Sequence, residues 1–300
     1  MATGTRNLLF GKYDVMGKIG EGSFGKIHKG VNVENKEPIA VKIETQKGGS
    51  QKQLQWEYKI YKKLEGTVLP RGNPWPQVYN FGKTRGGAHI MVMDRLGPSL
   101  DNIRRPVHPV SLAYIAQSII GSLELFHKKG FVHRDIKPQN ILLSSADKAF
   151  PDTVLIDYGL STLVKDAGNY AIGRGLKGTV KYSSINTHLG VEQNIRDDLQ
   201  SVGYVLLYLA GVEFPWKAVS KSSDKKRAYQ KILSYKLSST AVELSAGLDE
   251  SIRYVVAEYL YYTGSLAFHA QPSYKYMKRL FSSLASEFDG RIRSEERRVG

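Results

Sequence analysis

The dominant hydrophobic period of this 300-residue chain shifts near Asp94–Pro98. Before that point apolar residues alternate as in half-buried strands, and after it they recur at helical spacing. Tyr13 to Ile19 and Lys26 to Val31 read as two strands, Pro38 to Glu44 as a third, and Val78 to Phe81 and Ala88 to Met93 as two more. One helical stretch interrupts them, Ser50 to Leu64, with Leu54, Tyr58, Tyr61 and Leu64 as its apolar stripe and Glu57 on the same side. From Ser99 onward helices dominate. Leu112, Ile115, Ala116, Ile119, Ile120, Leu123 and Phe126 form a core stripe that Gly130 ends. Arg196 to Leu207 is a polar start followed by a nearly all-apolar helix, and two more helices lie near Asp249–Leu260 and Ser273–Leu284. Strands in one half and helices in the other predict an α+β chain of two lobes, a small β-rich lobe with one main helix and a larger, mostly helical one.

The expected boundaries are an N-terminal extension at 1–12, a small lobe at 13–93, a hinge at 94–98, a large lobe at 99–287 and a truncated tail at 288–300. Within that tail, residues 293–300 read as a translated sequencing-adapter oligonucleotide. Setting aside its three arginines and two glutamates lowers the net charge from +15 to +14. The absence of cysteine excludes disulfides, thiolate metal sites and cysteine nucleophiles. No apolar run is long enough to span a bilayer, and Met1 to Lys12 lacks the apolar core of a signal peptide. A cytoplasmic or nuclear monomer is expected. The positive charge points to acidic partners, but no nucleic-acid motif is present and the basic residues are spread along the chain, so no specific nucleic acid is expected.

The chemistry gathers in a few motifs. His133-Arg134-Asp135-Ile136-Lys137-Pro138-Gln139-Asn140 sets a carboxylate, an ammonium and a carboxamide within six positions, between a buried helix and a short strand. That spacing suits phosphoryl transfer from a metal-bound nucleotide. Asp135 would accept a hydroxyl proton, Lys137 would neutralise the moving phosphate, and Asn140 would hold a metal. Gly20, Gly22 and Gly25 form G-x-G-x-x-G, whose missing Cβ atoms let backbone N–H groups approach phosphates. A dinucleotide-binding site shows the same letters, but there the last glycine opens a helix, and here a strand with Ile27 and Val31 follows. Lys42 shares a strand face with Ala40 and would pair nucleotide phosphates, with Glu57 as the carboxylate that fixes it. Asp157, at a strand end beside Tyr158-Gly159, would bind the metal with Asn140; both offer oxygen, as magnesium prefers. The backbone of Asp94 to Leu96 would meet a purine edge, with Met93 limiting the pocket. Asp198 would accept N–H groups of the 133–140 loop, the plain alternative being a cap on its own helix.

In this order the motifs resemble the eukaryotic protein kinases, and within them the casein kinase I family. Asp157-Tyr158-Gly159 stands where most kinases have Asp-Phe-Gly, and Ser184-Ile185-Asn186 where most have Ala-Pro-Glu. The run from Gly178 to Gly190 is close to that family's signature, as are Leu96 to Leu100 and Arg196 to Leu206. The resemblance implies a bilobal kinase fold, ATP and Mg2+, and transfer of the γ-phosphate to protein serine or threonine, which Lys137 supports. It implies nucleotide contacts from Ile19, Gly20, Gly22, Ser23, Gly25, Ile27, Ala40, Lys42, Met93, Asp94, Leu96 and Leu142. It also implies acidic or phosphate-primed substrates, read by Arg174 and Lys181 with a third cation among Lys225, Lys226 and Arg227, where the spacing is shifted by about one residue. Activity without activating phosphorylation is implied too. The alternative is a catalytically weak scaffold that binds partners without transfer.

Overall fold

The structure is a computed structural model that describes residues 8–22, 25–44, 53–67, 69, 73–84, 86–144, 152–164, 171–173, 175–219 and 223–299, with side chains as far as 289. The chain falls into two compact units that are not contiguous in sequence. Met1–Val68, Trp75–Gly97 and Ile156–Gly159 form the first, and Leu69–Pro74, Pro98–Leu155 and Leu160–Gly300 the second.

The first unit is built on a five-stranded antiparallel sheet. Its strands are β1 (Tyr13–Gly22), β2 (Gly25–Asn32), β3 (Pro38–Glu44), β4 (Val78–Lys83) and β5 (His89–Asp94), in the spatial order β1-β2-β3-β5-β4. Period-2 alternation sends Ile39 and Val41 of β3 into a cluster with Tyr13, Ile90 and Val92. Ala40 and Lys42 therefore share the opposite face. Strand β5 lies between β3 and β4, and its residues from His89 to Met93 are all buried, the run of apolar residues expected of a strand covered on both sides. Helix α1 (Gln53–Leu64) packs on β4 and β5 and buries Leu54, Glu57, Ile60, Tyr61 and Leu64. Residues 50–52 of the expected helix lie outside the described residues. Tyr58, expected in the stripe, is only half-buried; it stacks on Phe81 with ring centroids 4.3 Å apart, and Ile60 takes the core position. The Trp75 indole donates to Leu64 O (3.1 Å), satisfying a carbonyl at the end of α1.

The second unit is mostly helical. Helix α2 (Pro109–Lys128) begins with proline at its first position and is followed by Gly130 at φ +83°. By length and composition α2 is apolar enough to cross a membrane, against the expectation that no run is long enough to span one. It is instead a core helix: Leu112, Ile115, Ala116, Ile119, Ile120, Leu123 and Phe126 are all buried, and α4 (Ile195–Leu209) and α8 (Tyr274–Val299) pack against it. Between them come α3 (Ile185–His188), α5 (Lys225–Ser238), α6 (Ala241–Leu244) and α7 (Glu250–Ser265). Helix α5 falls on a stretch whose charge hid its helical seam of Ala228, Ile232 and Lys236, spaced four apart and all buried. Helix α8 runs on past residue 287, where the sequence reading ended the large lobe. Two short two-stranded antiparallel sheets, β6 (Phe131–Val132) with β9 (Thr162–Leu163) and β7 (Ile141–Leu143) with β8 (Thr153–Leu155), flank the 133–140 loop and the start of the segment that follows Gly159.

Helices α4 and α7 pack so closely that a Cβ added at Gly203 would lie 2.3 Å from Leu260 Cδ2. Gly203→Ala should therefore destabilise the second unit by about 1–3 kcal/mol. Chemical denaturation checks this, and an unchanged midpoint would contradict the close packing.

Candidate active site

In the first unit the β-sheet register sets a row of functional side chains. Gly20 lies opposite Ile27, and Ile27 opposite Lys42. The Lys42 ammonium bridges two carboxylates, Glu57 of α1 at 2.6 Å and Asp157 at 2.8 Å. Burial acts against the Lys42 charge, but the Asp157 and Glu57 carboxylates outweigh it and hold its pKa above the ordinary lysine range. Burial likewise pushes the Glu57 carboxyl up, against the pull of Lys42. Asp157 sits at φ +68°, a left-handed conformation that residues with a Cβ adopt sparingly. Tyr158 follows it into the interior, edge-on to Tyr61 with centroids 4.8 Å apart.

The glycine motif forms a hairpin in which Gly22 pairs with Gly25; Ser23 and Phe24 lie outside the described residues. A Cβ at Gly25 would meet Ile43 O at 2.5 Å, so the fold itself requires that glycine. A Cβ at Gly22 would meet nothing within 4 Å, and at Gly20 only Ile27 at ordinary contact distance. The fold would accept a side chain at both, and glycine there leaves room for a partner outside the chain. Ile19 is half exposed and Ile27 half-buried nearby. Ala40 lies directly opposite the buried Met93. Of the Asp94–Leu96 backbone expected to meet a purine edge, the Asp94 groups have the following partners. Its N–H donates to Gln77 O (3.0 Å), and its carboxylate accepts from Gln77 N (2.8 Å) and the Tyr79 hydroxyl. The Asp94 N–H is thus already engaged by the residue before β4.

In the second unit three groups converge on the Asp135 carboxylate. Lys137 Nζ donates to Oδ2 at 2.6 Å, Asn140 Nδ2 lies 3.2 Å from the same oxygen, and Thr179 Oγ1 donates to Oδ1 at 2.7 Å. Both Asn140 contacts, to Asp135 O and Oδ2, use its amide nitrogen and leave the carbonyl oxygen as its donor for a metal. Thr179 falls within the Gly178–Gly190 run, and the sequence assigns it no role in the site. Nothing local shows that a residue 44 positions from Asp135 returns to it. Gly178 makes this approach possible: it sits at φ +92°, and a Cβ there would lie 2.3 Å from Arg134 O. Leu142 lies half-buried in β7, opposite Val154.

Asp198 supports this loop from below. Its buried carboxylate accepts His133 N at 2.6 Å and Arg134 N at 2.8 Å, and pairs with His127 Nε2 at 3.0 Å. Burial pushes the Asp198 carboxyl up, yet His127, His133 and the amide donors prevail and hold its pKa below the ordinary carboxylate value. The helix start is served by its neighbour: Asp197 accepts Asn194 N at 2.8 Å. The strained Arg134, at φ +68°, is tied further by its own Nε to Leu160 O (2.7 Å).

The expected phosphate readers are less united. Arg174 lies outside the described residues. Lys181 is half-buried with its ammonium 4.2 Å from the Tyr208 ring centroid, and burial, with Arg105 nearby, lowers its pKa. Arg105, which the sequence reading missed, stacks 3.5 Å over the same Tyr208 ring. Lys225 and Lys226 are exposed in the first turn of α5, and among the described residues no contact joins them to Lys181.

The description "Protein kinase domain" matches residues 13–270, and the chain belongs to the protein kinase family. It is accordingly an ATP-dependent phosphotransferase that acts on protein and uses a divalent metal. Among the described residues no three His, Asp or Glu side chains cluster as a closed metal cage. The Asp157 carboxylate of the first unit and the Asn140 carboxamide of the second are each oxygen donors of the kind a hard cation prefers.

Removing the Asp198 carboxylate would strand two buried amides and a histidine. Asp198→Ala should cost about 3–5 kcal/mol of stability, measured by urea denaturation. A loss below about 1 kcal/mol would mean that the loop amides find other acceptors.

Proposed function

We propose that the protein is a serine/threonine kinase of casein kinase I type, which transfers the ATP γ-phosphate to acidic or phosphate-primed protein substrates. The observation that carries the reading is the convergence of Lys137, Asn140 and Thr179 on Asp135. A carboxylate held from three sides can orient a substrate hydroxyl and take its proton as the phosphoryl group moves. Lys137 then neutralises the phosphate. Lys42, held by Glu57, steadies the nucleotide phosphates. Asn140 and Asp157 are the oxygen donors for Mg2+, which when bound screens the charge on those phosphates. The room above Gly20 and Gly22 supports backbone contact with phosphate, with Ile19, Ile27, Ala40, Met93, Leu96 and Leu142 as apolar contacts of the base and sugar. The priming phosphate is assigned to Arg174 and Lys181, and the position of Arg105 makes it a better third cation than Lys225 or Lys226.

Activity without an activating phosphate has its own support. Burial works against the Arg134 charge while Asp198 first, and Glu192 second, favour it, and Glu192 also accepts Ala171 N at 3.2 Å, a carboxylate built into the chain beside the segment that an activating phosphate would order.

Protein made in bacteria, with no other kinase added, should transfer phosphate from labelled ATP. Asp135→Asn should lower turnover about a thousandfold or more while the Kd for ATP stays within about twofold. An unchanged turnover would remove Asp135 from its role.

Of two peptides that differ only in a phosphoserine three residues before the target serine, the primed one should be preferred. The preference should vanish in Arg174→Ala/Lys181→Ala protein. Equal rates on both peptides in the unaltered enzyme would keep the kinase and remove the priming claim.

A further inference from the structure

Lys236 is the one lysine of α5 that the helix turns inward, 3% exposed. Among the described residues no carboxylate pairs with it. Its ammonium instead sits between two ring faces, 4.3 Å from the Tyr204 centroid and 5.3 Å from that of Trp216. Its three N–H donors have three acceptors: Ser183 O at 2.5 Å, Val180 O at 3.4 Å and His188 Nε2 at 3.3 Å. Burial and the Lys236 charge together push the His188 pKa down to about 3, which keeps that ring neutral and able to accept. Burial pushes the Lys236 pKa well below the ordinary lysine range, so an amine here is costly, and a methionine would fill the same space without that penalty. Packing therefore does not account for a lysine here. What the lysine adds is a fixed grip on backbone carbonyls.

Those carbonyls belong to the segment that delivers Thr179. Trp216 Nε1 donates to Lys181 O at 3.2 Å, and Thr179 O accepts Tyr182 N at 3.0 Å and Ser183 N at 3.1 Å. With Lys236 on Val180 and Ser183, four of the five carbonyls from Thr179 to Ser183 are held in place. At the head of this stretch Thr179 Oγ1 donates to Asp135.

We propose that Lys236 is a positioning residue for phosphoryl transfer: caged by Tyr204 and Trp216, it clamps the Val180 and Ser183 carbonyls and so sets the Thr179 hydroxyl on Asp135. This rests on the phosphotransfer reading above. Lys236 touches no reacting atom, and its influence passes through Thr179.

The test is a double-mutant cycle on the full chain with ATP and a serine peptide. Lys236→Met keeps the length of the side chain and removes its donors. It should lower kcat/KM for the peptide about 10–100-fold while the Tm is not lowered and the KM for ATP stays within about twofold. Thr179→Val should give a loss of its own, and the double variant should be no worse than the worse single, because both act on one arrangement. Losses that multiply, or a Lys236→Met protein within about twofold of the parent, would overturn the proposal. If Lys236→Met does not fold, Lys236→Gln, which keeps two N–H donors without the buried charge, takes its place in the cycle and is judged by whether its loss multiplies with that of Thr179→Val. An unaltered protein that shows no transfer at all would instead strike the phosphotransfer reading, and the proposal would fall with it.

Discussion

The Asp198 carboxylate, buried at the start of α4, accepts two consecutive amides from the loop that presents Asp135. Consecutive amides point the same way only where the backbone turns sharply, and Arg134 supplies that turn by entering the left-handed region. The carboxylate and the strain thus belong together, one sustaining the other. His127 fixes Asp198 from the far side and reaches Tyr274 of α8 through its other nitrogen at 2.6 Å. A chain of short contacts thereby joins the last helix to the loop, and the helical core around α2 serves as the base on which one carboxylate is aimed.

Buried charge is handled in two opposite ways. Lys42 in the first unit is matched by two carboxylates, and its ammonium is secure. Lys236 in the second has carbonyls, a neutral imidazole and ring faces, which carry partial charge alone. The first arrangement suits a group that must stay positive when phosphates approach. In the second, burial lowers the Lys236 pKa and the amine is held by the carbonyls of one backbone segment, which suits fastening more than chemistry.

Most of the site was legible because its residues lie close in sequence or share a strand. Asp135, Lys137 and Asn140 sit on one short loop, and Lys42 shares a face with Ala40 by simple alternation. Glu57 was found because Lys42 needs a partner and the inner edge of α1 offers one. What escaped depends on long returns of the chain. Thr179, Arg105 and Lys236 reach their places through tertiary packing, and no local period announces them. Helix α5 was missed because its surface charge concealed the seam of Ala228, Ile232 and Lys236. Tyr58 was placed in the core because the stripe of α1 is wide enough to admit either neighbour, and Ile60 filled the space.

Glu192 has a consequence for control. A carboxylate that is part of the chain cannot be removed by a phosphatase, so the contact it makes with Ala171 needs no second enzyme to form it. On the reading proposed above, such an enzyme needs no phosphate to switch it on at this segment. Its output then follows how much of it is present and which acceptors are within reach. The timing of a phosphorylation event would be written in the substrates, and the enzyme would act as a clock that runs continuously.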